Sequence, residues 1–175
     1  MNQENPTLFY GLNSFHEALG IATSVCNALG HGQHGKAVNL LLETAAAETQ
    51  LGTLRDPTPD GAGMGLTQGD PIGVRDVALR VRYKDVKIIE ACFGFDIRVL
   101  RHSDLAWCPV KAFVFTRIKY KLRPEVIPVT LKWRTRYWKY FYNSKLGKGT
   151  VRHFAESANH WLYDEHAPLH KQVTP

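Results

Sequence analysis

Leu40-Leu41-Leu42-Glu43-Thr44-Ala45-Ala46-Ala47-Glu48-Thr49-Gln50-Leu51-Gly52 opens the stretch that decides the fold, and it runs on through Asp56-Pro57-Thr58-Pro59-Asp60-Gly61-Ala62-Gly63-Met64-Gly65-Leu66-Thr67-Gln68-Gly69-Asp70-Pro71. It starts as a strong helix former and changes abruptly to Gly, Pro and Asp. Val38, Leu41, Leu42 and Ala45 recur at helical spacing and share one face. Glu43 falls about 200° around the helix from Leu41, on the side where water would solvate it. Glu48 comes seven residues after Leu41 and three after Ala45, at the edge of the apolar face. A carboxyl there is either a solvated residue near a helix C-terminus or a partly desolvated acid. Desolvation raises a carboxyl pKa, which is what a general acid for glycoside cleavage requires.

The neighbouring residues add a resemblance. Glu48-Thr49-Gln50-Leu51-Gly52 resembles the E-S-x-x-G signature of goose-type lysozymes and the E-S start of the soluble lytic transglycosylase signature. Fifteen residues after Glu48, Gly63-Met64-Gly65-Leu66-Thr67-Gln68 is similar to the G-x-G-L-M-Q block of both families, with Thr67 in place of the usual Met. Asp70 follows Gln68 by two positions, as an Asp does in goose-type lysozymes, and Asp60 lies one position off a second family Asp. Downstream, Phe141-Tyr142-Asn143-Ser144-Lys145-Leu146-Gly147-Lys148-Gly149-Thr150-Val151 resembles the A-Y-N-A-G-x-G-x-V segment, with about two extra residues between the Tyr-Asn pair and the G-x-G-x-V.

The resemblance implies a mainly α (α+β) lysozyme-like domain, with a small Gly-rich loop or sheet lobe beside the cleft. It implies cleavage of the β-1,4 bond between N-acetylmuramic acid and N-acetylglucosamine in peptidoglycan. Glu48 would be the general acid, and Asp70 first or Asp60 second the base that activates water. Without such a base, the substrate's 6-hydroxyl would close the ring, as in a lytic transglycosylase. Gln68 would orient a sugar or Glu48, Tyr142 would bond Glu48 or an N-acetyl group, and Asn143 would hold the motif backbone. Met64 and Gly65 belong to the same substrate-binding set, glycine allowing a polysaccharide to approach the backbone closely. No metal or other cofactor is implied.

The rest of the chain bounds the reading. Its 175 residues are 44% hydrophobic and 22% charged, which suits one globular domain over residues 1–175, with a core from about 14 to 163 and a loosely held tail over 164–175. The chain is expected to be a monomer. No run of about 18 apolar residues predicts a membrane span, and Met1–Pro6 has no basic or apolar leader pattern. An enzyme of this kind would reach the wall by delivery, as a phage lysin, a virion component or an injected effector. Cys26, Cys92 and Cys108 are an odd set at wide spacing among apolar neighbours and read as buried free thiols.

A net charge of +6 and a pI near 9.3 favour an anionic partner. Peptidoglycan glycan strands are the expected one, ahead of nucleic acid or a membrane surface. The run Lys132-Trp133-Arg134-Thr135-Arg136-Tyr137-Trp138-Lys139-Tyr140 reads as a solvated basic helix face with aromatics turned to the core, as a sugar groove, or as a single-strand nucleic-acid groove. The rival function is a non-catalytic module binding an anionic polymer on the same frame.

Asn13-Ser14 caps a predicted helix from Phe15 to about Leu29, stopped by Gly30. His31 and His34 in the next loop are weak evidence for a metal. Lys36 to about Leu51 is the Glu48 helix, and Val74 to about Phe93 reads as one helix ended by Gly94. Asp104 is the expected cap of a helix running to about Leu122. Thr130 caps a helix reaching the Tyr142-Asn143 pair, and a last helix spans about Thr150 to Tyr163.

Overall fold

The computed structural model describes residues 6–55, 61–143 and 148–175. These residues are mainly helical. Helix α1 spans Phe15–Leu29, α2 Ala37–Thr49, α3 Pro71–Arg80, α4 Tyr83–Phe93, α5 Pro109–Lys121, α6 Leu131–Trp138 and α7 Val151–Ala158. Short 3₁₀ turns cover Ile97–Val99 and His102–Leu105, and π-helical segments Lys139–Asn143 and Asn159–Tyr163 extend α6 and α7. Among the described residues no helix is long and apolar enough to cross a membrane.

Helix α2 is the axis. It packs against α1, α5, α6 and α7, and eleven of its thirteen residues are buried. A helix surrounded on all sides has no solvated face for its sequence to mark. Glu43, expected in water, is therefore 0% exposed and pairs with Arg134 of α6. Arg134 belongs to the basic run that resembled a surface face. Within that run Tyr137 and Trp138 are buried, whereas Trp133 and Tyr140 are exposed.

Local signals set several boundaries as expected. Ser14 accepts from Glu17 N at the start of α1, and Thr150 accepts from His153 N at the start of α7. Gly94 closes α4 in the left-handed region. Other boundaries follow packing. The single helix expected from Val74 to Phe93 is two, divided at Val81 and Arg82, whose backbones are extended. The break lets α3 lie against α5 while α4 lies against α1. Asp104 does not cap α5. It accepts from Arg101 N at 3.0 Å within the 3₁₀ turn, and α5 starts at Pro109, which has no N–H to leave unpaired.

The lobe beside α2 is a loop with one antiparallel bridge, Met64 to Gly69. It is strapped down at both ends of its buried side. The Thr49 hydroxyl donates to Leu66 O at 2.7 Å, and wholly buried Thr67 receives the Thr116 hydroxyl at 2.8 Å. Gly65 is fixed by this packing: with φ at 77°, a Cβ would stand 2.2 Å from Leu105 O. Close approach of the protein's own backbone therefore requires glycine at this position. Gly65→Ala is expected to cost more than about 1 kcal/mol of unfolding free energy in a urea titration.

Two further expectations are corrected. The tail over 164–175 is docked rather than loose, because Leu169 and Val173 bury an apolar face four residues apart. Lys36 Nζ donates to Pro175 O at 2.8 Å and Asn39 Nδ2 to Thr174 O at 2.7 Å, which tie the tail to the start of α2. Of the thiols only Cys26 is buried, and burial pushes its pKa up to about 11. Cys92 is exposed on α4 and Cys108 half-buried. His31 shares a 2.8 Å hydrogen bond with Asn27 Oδ1. Among the described residues no group of three His, Cys, Asp or Glu side chains gathers as a metal site would require.

Candidate active site

Glu48 sits in the last turn of α2, just before the chain reverses. Gln50 and Leu51 adopt left-handed φ values of 50° and 53°, so the helix ends sharply and the carboxyl projects into a cleft of about 580 Å³. The Gly-rich loop contributes Gly61, Gly63, Gln68 and Asp70 to the cleft. The opposite wall is Trp138, Tyr142, Asn143, Gly149 and His153. Residue 138 lies at the end of α6, and the π segment that follows widens the helix and turns Tyr142 and Asn143 to the same side.

The electrostatics divide the two cleft carboxyls. Burial raises Glu48 from 4.5 to about 7, against the opposing pull of the Trp138 indole N–H and the Lys119 charge. Trp138 Nε1 donates to Glu48 Oε1 at 3.2 Å. Asp70 goes the other way. Burial lifts it, but the Gly73 N–H and the Lys119 ammonium outweigh burial and hold it below its usual 3.8. Gly73 N donates to Asp70 Oδ1 at 2.7 Å, which makes Asp70 the N-cap of α3, and Lys119 Nζ lies 3.5 Å from Oδ2. One carboxyl is thus poised to hold a proton near neutrality and the other stays ionised.

Lys119 is the cation beneath both. Its Nζ donates to Tyr142 O at 3.3 Å and lies 4.2 Å from the Tyr142 ring centroid. Burial lowers its own pKa, and the carboxylates nearby partly restore it.

The residues singled out in the sequence divide accordingly. Glu48, Asp70, Gln68, Tyr142 and Asn143 share the cleft. Met64 and Gly65 line a neighbouring hollow instead. Asp60 lies outside the described residues. Tyr142 does not bond Glu48: its hydroxyl donates to Thr67 O at 2.7 Å and so anchors the Gly-rich loop. Gln68 Nε2 donates to Gly65 O at 2.9 Å, and Asn143 Oδ1 accepts from Lys139 Nζ at 2.8 Å.

Trp138, Lys119 and His153 were not marked as site residues by any motif. Trp138 stood in the aromatic run, but its partner is 90 residues away, and no local motif surrounds Lys119. His153 Nε2 donates to Ala47 O at 2.7 Å, bridging α7 to the turn that carries Glu48.

Compared with protein-family models, curated proteins and solved structures, the chain finds no match.

Proposed function

We propose that this protein is a peptidoglycan-cleaving glycosidase of lysozyme-like type, with Glu48 as its general acid. The observation that carries the reading is a half-buried carboxyl with a pKa near 7, opening onto a cleft that also holds an ionised carboxylate. Glu48 gives its proton to the glycosidic oxygen as that bond breaks and the sugar gains oxocarbenium character. Trp138 holds the carboxyl in place during that transfer.

Two products follow from two nucleophiles. In hydrolysis, water attacks the anomeric carbon and its proton passes to Asp70. In transglycosylation, the substrate's 6-hydroxyl attacks and its proton passes to the Glu48 carboxylate left by the first step. The shared cleft and the ionised state of Asp70 support hydrolysis. Engagement of both Asp70 oxygens, by Gly73 N and Lys119, favours the second route. A digest of purified peptidoglycan separates them by mass, because hydrolysed muropeptides carry about 18 Da more than 1,6-anhydro ones. The polymer-binding alternative predicts retention on the wall with no reducing ends or anhydro ends released.

The pH profile follows from the same groups. The acid works protonated, so turnover is expected to hold through mildly acidic pH and to fall as pH rises through about 7. Asp70 is already ionised there, so its limb lies below 3.8. Trp138→Phe removes a hydrogen bond that lowers the Glu48 pKa, so the alkaline limb is expected to move to higher pH. A limb that stays in place in that variant argues against Glu48 as the titrating acid.

A further inference from the structure

Beyond the Gly-rich loop the cleft has a neighbour. A hollow of about 130 Å³ is lined by Phe9, Tyr10, Arg55, Met64 and Trp107, and it shares Gly61, Gly63 and Gln68 with the Glu48 cleft. The divide between the two is therefore two glycines and one amide side chain. At Gly63 a Cβ would come 2.6 Å from Gln68 Oε1 and 2.9 Å from Gln68 Cβ, so the Gln68 side chain packs directly on this glycine.

The far wall is firmly built. Phe9 N donates to Gly52 O at 2.9 Å, and Tyr10 OH donates to Leu54 O at 3.1 Å, which fasten the segment before α1 to the turn after α2. Trp107 closes this wall from the stretch ahead of Pro109. Its residue is 67% exposed, and among the described residues no ring or cation covers its indole. Trp133, the other strongly exposed tryptophan, carries the Arg136 guanidinium 4.7 Å from its ring centroid. Arg55, exposed at the mouth of the hollow, presents a planar fork of N–H donors suited to a carboxylate.

We propose that this hollow is a distal saccharide subsite, in which Trp107 stacks on the apolar face of a pyranose ring further along the same glycan strand and Arg55 meets a strand carboxylate. The inference rests on the glycosidase reading of the Glu48 cleft. A polymer bound across Glu48 must leave the cleft at its ends, and the hollow adjoins that cleft through the shared Gly61, Gly63 and Gln68, so a strand leaving on this side would meet it. An aromatic face against sugar C–H groups buries apolar surface on both partners at little entropic cost, because the indole has few rotamers.

The test uses binding to protein that does not turn over. A disaccharide and a hexasaccharide prepared from peptidoglycan are titrated calorimetrically into the Glu48→Gln protein, with and without Trp107→Ala. Loss of a mostly exposed ring leaves the core untouched, and matching thermal unfolding of the two proteins checks this. The expected result is about tenfold weaker binding of the hexasaccharide in the Trp107→Ala protein, with disaccharide binding unchanged. Arg55→Ala is expected to weaken the hexasaccharide in the same selective way. Hexasaccharide affinity that is equal with and without Trp107 overturns the subsite and leaves the catalytic reading standing. Failure of the Glu48→Gln protein to bind either saccharide overturns both.

Discussion

Glu48→Gln is expected to lower turnover on purified peptidoglycan by about 10²-fold or more while making the fold more stable at about pH 8. The activity loss follows from removing the acidic carboxyl proton, which an amide cannot deliver to the glycosidic oxygen. The stability gain follows from the pKa. Glu48 titrates near 4.5 when unfolded and near 7 when folded. A raised folded pKa means that the folded state prefers the protonated form, so this group's contribution is fully present below about 4.5 and is lost as pH rises through about 7. At pH 8 the ionised carboxylate then penalises folding by roughly 3 kcal/mol, the free energy of a shift of that size. Gln carries no charge and escapes that penalty. Urea titrations of both proteins at about pH 4 and pH 8 check it: the curves are expected to nearly coincide at the lower pH and to separate at the higher, with the variant more stable. An inactive variant that is also less stable at pH 8 would mean that Glu48 supports the fold rather than the reaction.

The opposite signs of those two effects bear on what the sequence could reveal. Local chemistry was readable. The Ser14 cap, the start of α7 near Thr150 and the Gly94 stop depend on residues within one turn of each other. The place of Glu48 at a helix end beside the Gly-rich loop was readable for the same reason, since that helix end, its turn and the loop are contiguous. What failed depended on distant partners. Glu43 was assigned to water because periodicity assumes that a helix has an outside, and α2 has none. None of the three readings of the basic run foresaw a buried Arg134, because its partner lies 91 residues earlier. Lys119 sets the charge beneath the cleft, yet its own neighbours in sequence are ordinary core and surface positions of α5. The Val81-Arg82 break carries no Gly or Pro, and only the separate partners of α3 and α4 account for it.

Arg134→Met alone is expected to destabilise the protein by about 3–5 kcal/mol, and Glu43→Gln by a similar amount. Both side chains are 0% exposed, so removal of either leaves a charge in the core without its counter-charge. The pair is bidentate: Arg134 Nη2 donates to Glu43 Oε1 at 2.7 Å and Nε to Oε2 at 2.9 Å. Arg134 Nη1 also donates to the carbonyls of Pro128 and Val129, and Tyr163 OH donates to Glu43 Oε1. The network therefore joins α2, α6, the loop before α6 and the end of the α7 extension at one point. That point lies one turn before Trp138 on α6 and five residues before Glu48 on α2. Loosening it should let the indole drift from the carboxyl, so either single variant is expected to shift the alkaline limb of the pH profile as well as the unfolding midpoint. The combination Glu43→Leu with Arg134→Met removes both charges and is expected to cost far less than the sum of the single changes, because an apolar pair of similar volume needs no desolvation. Additive losses in that double-mutant cycle would show that the two helices are held by packing around the pair rather than by the pair itself.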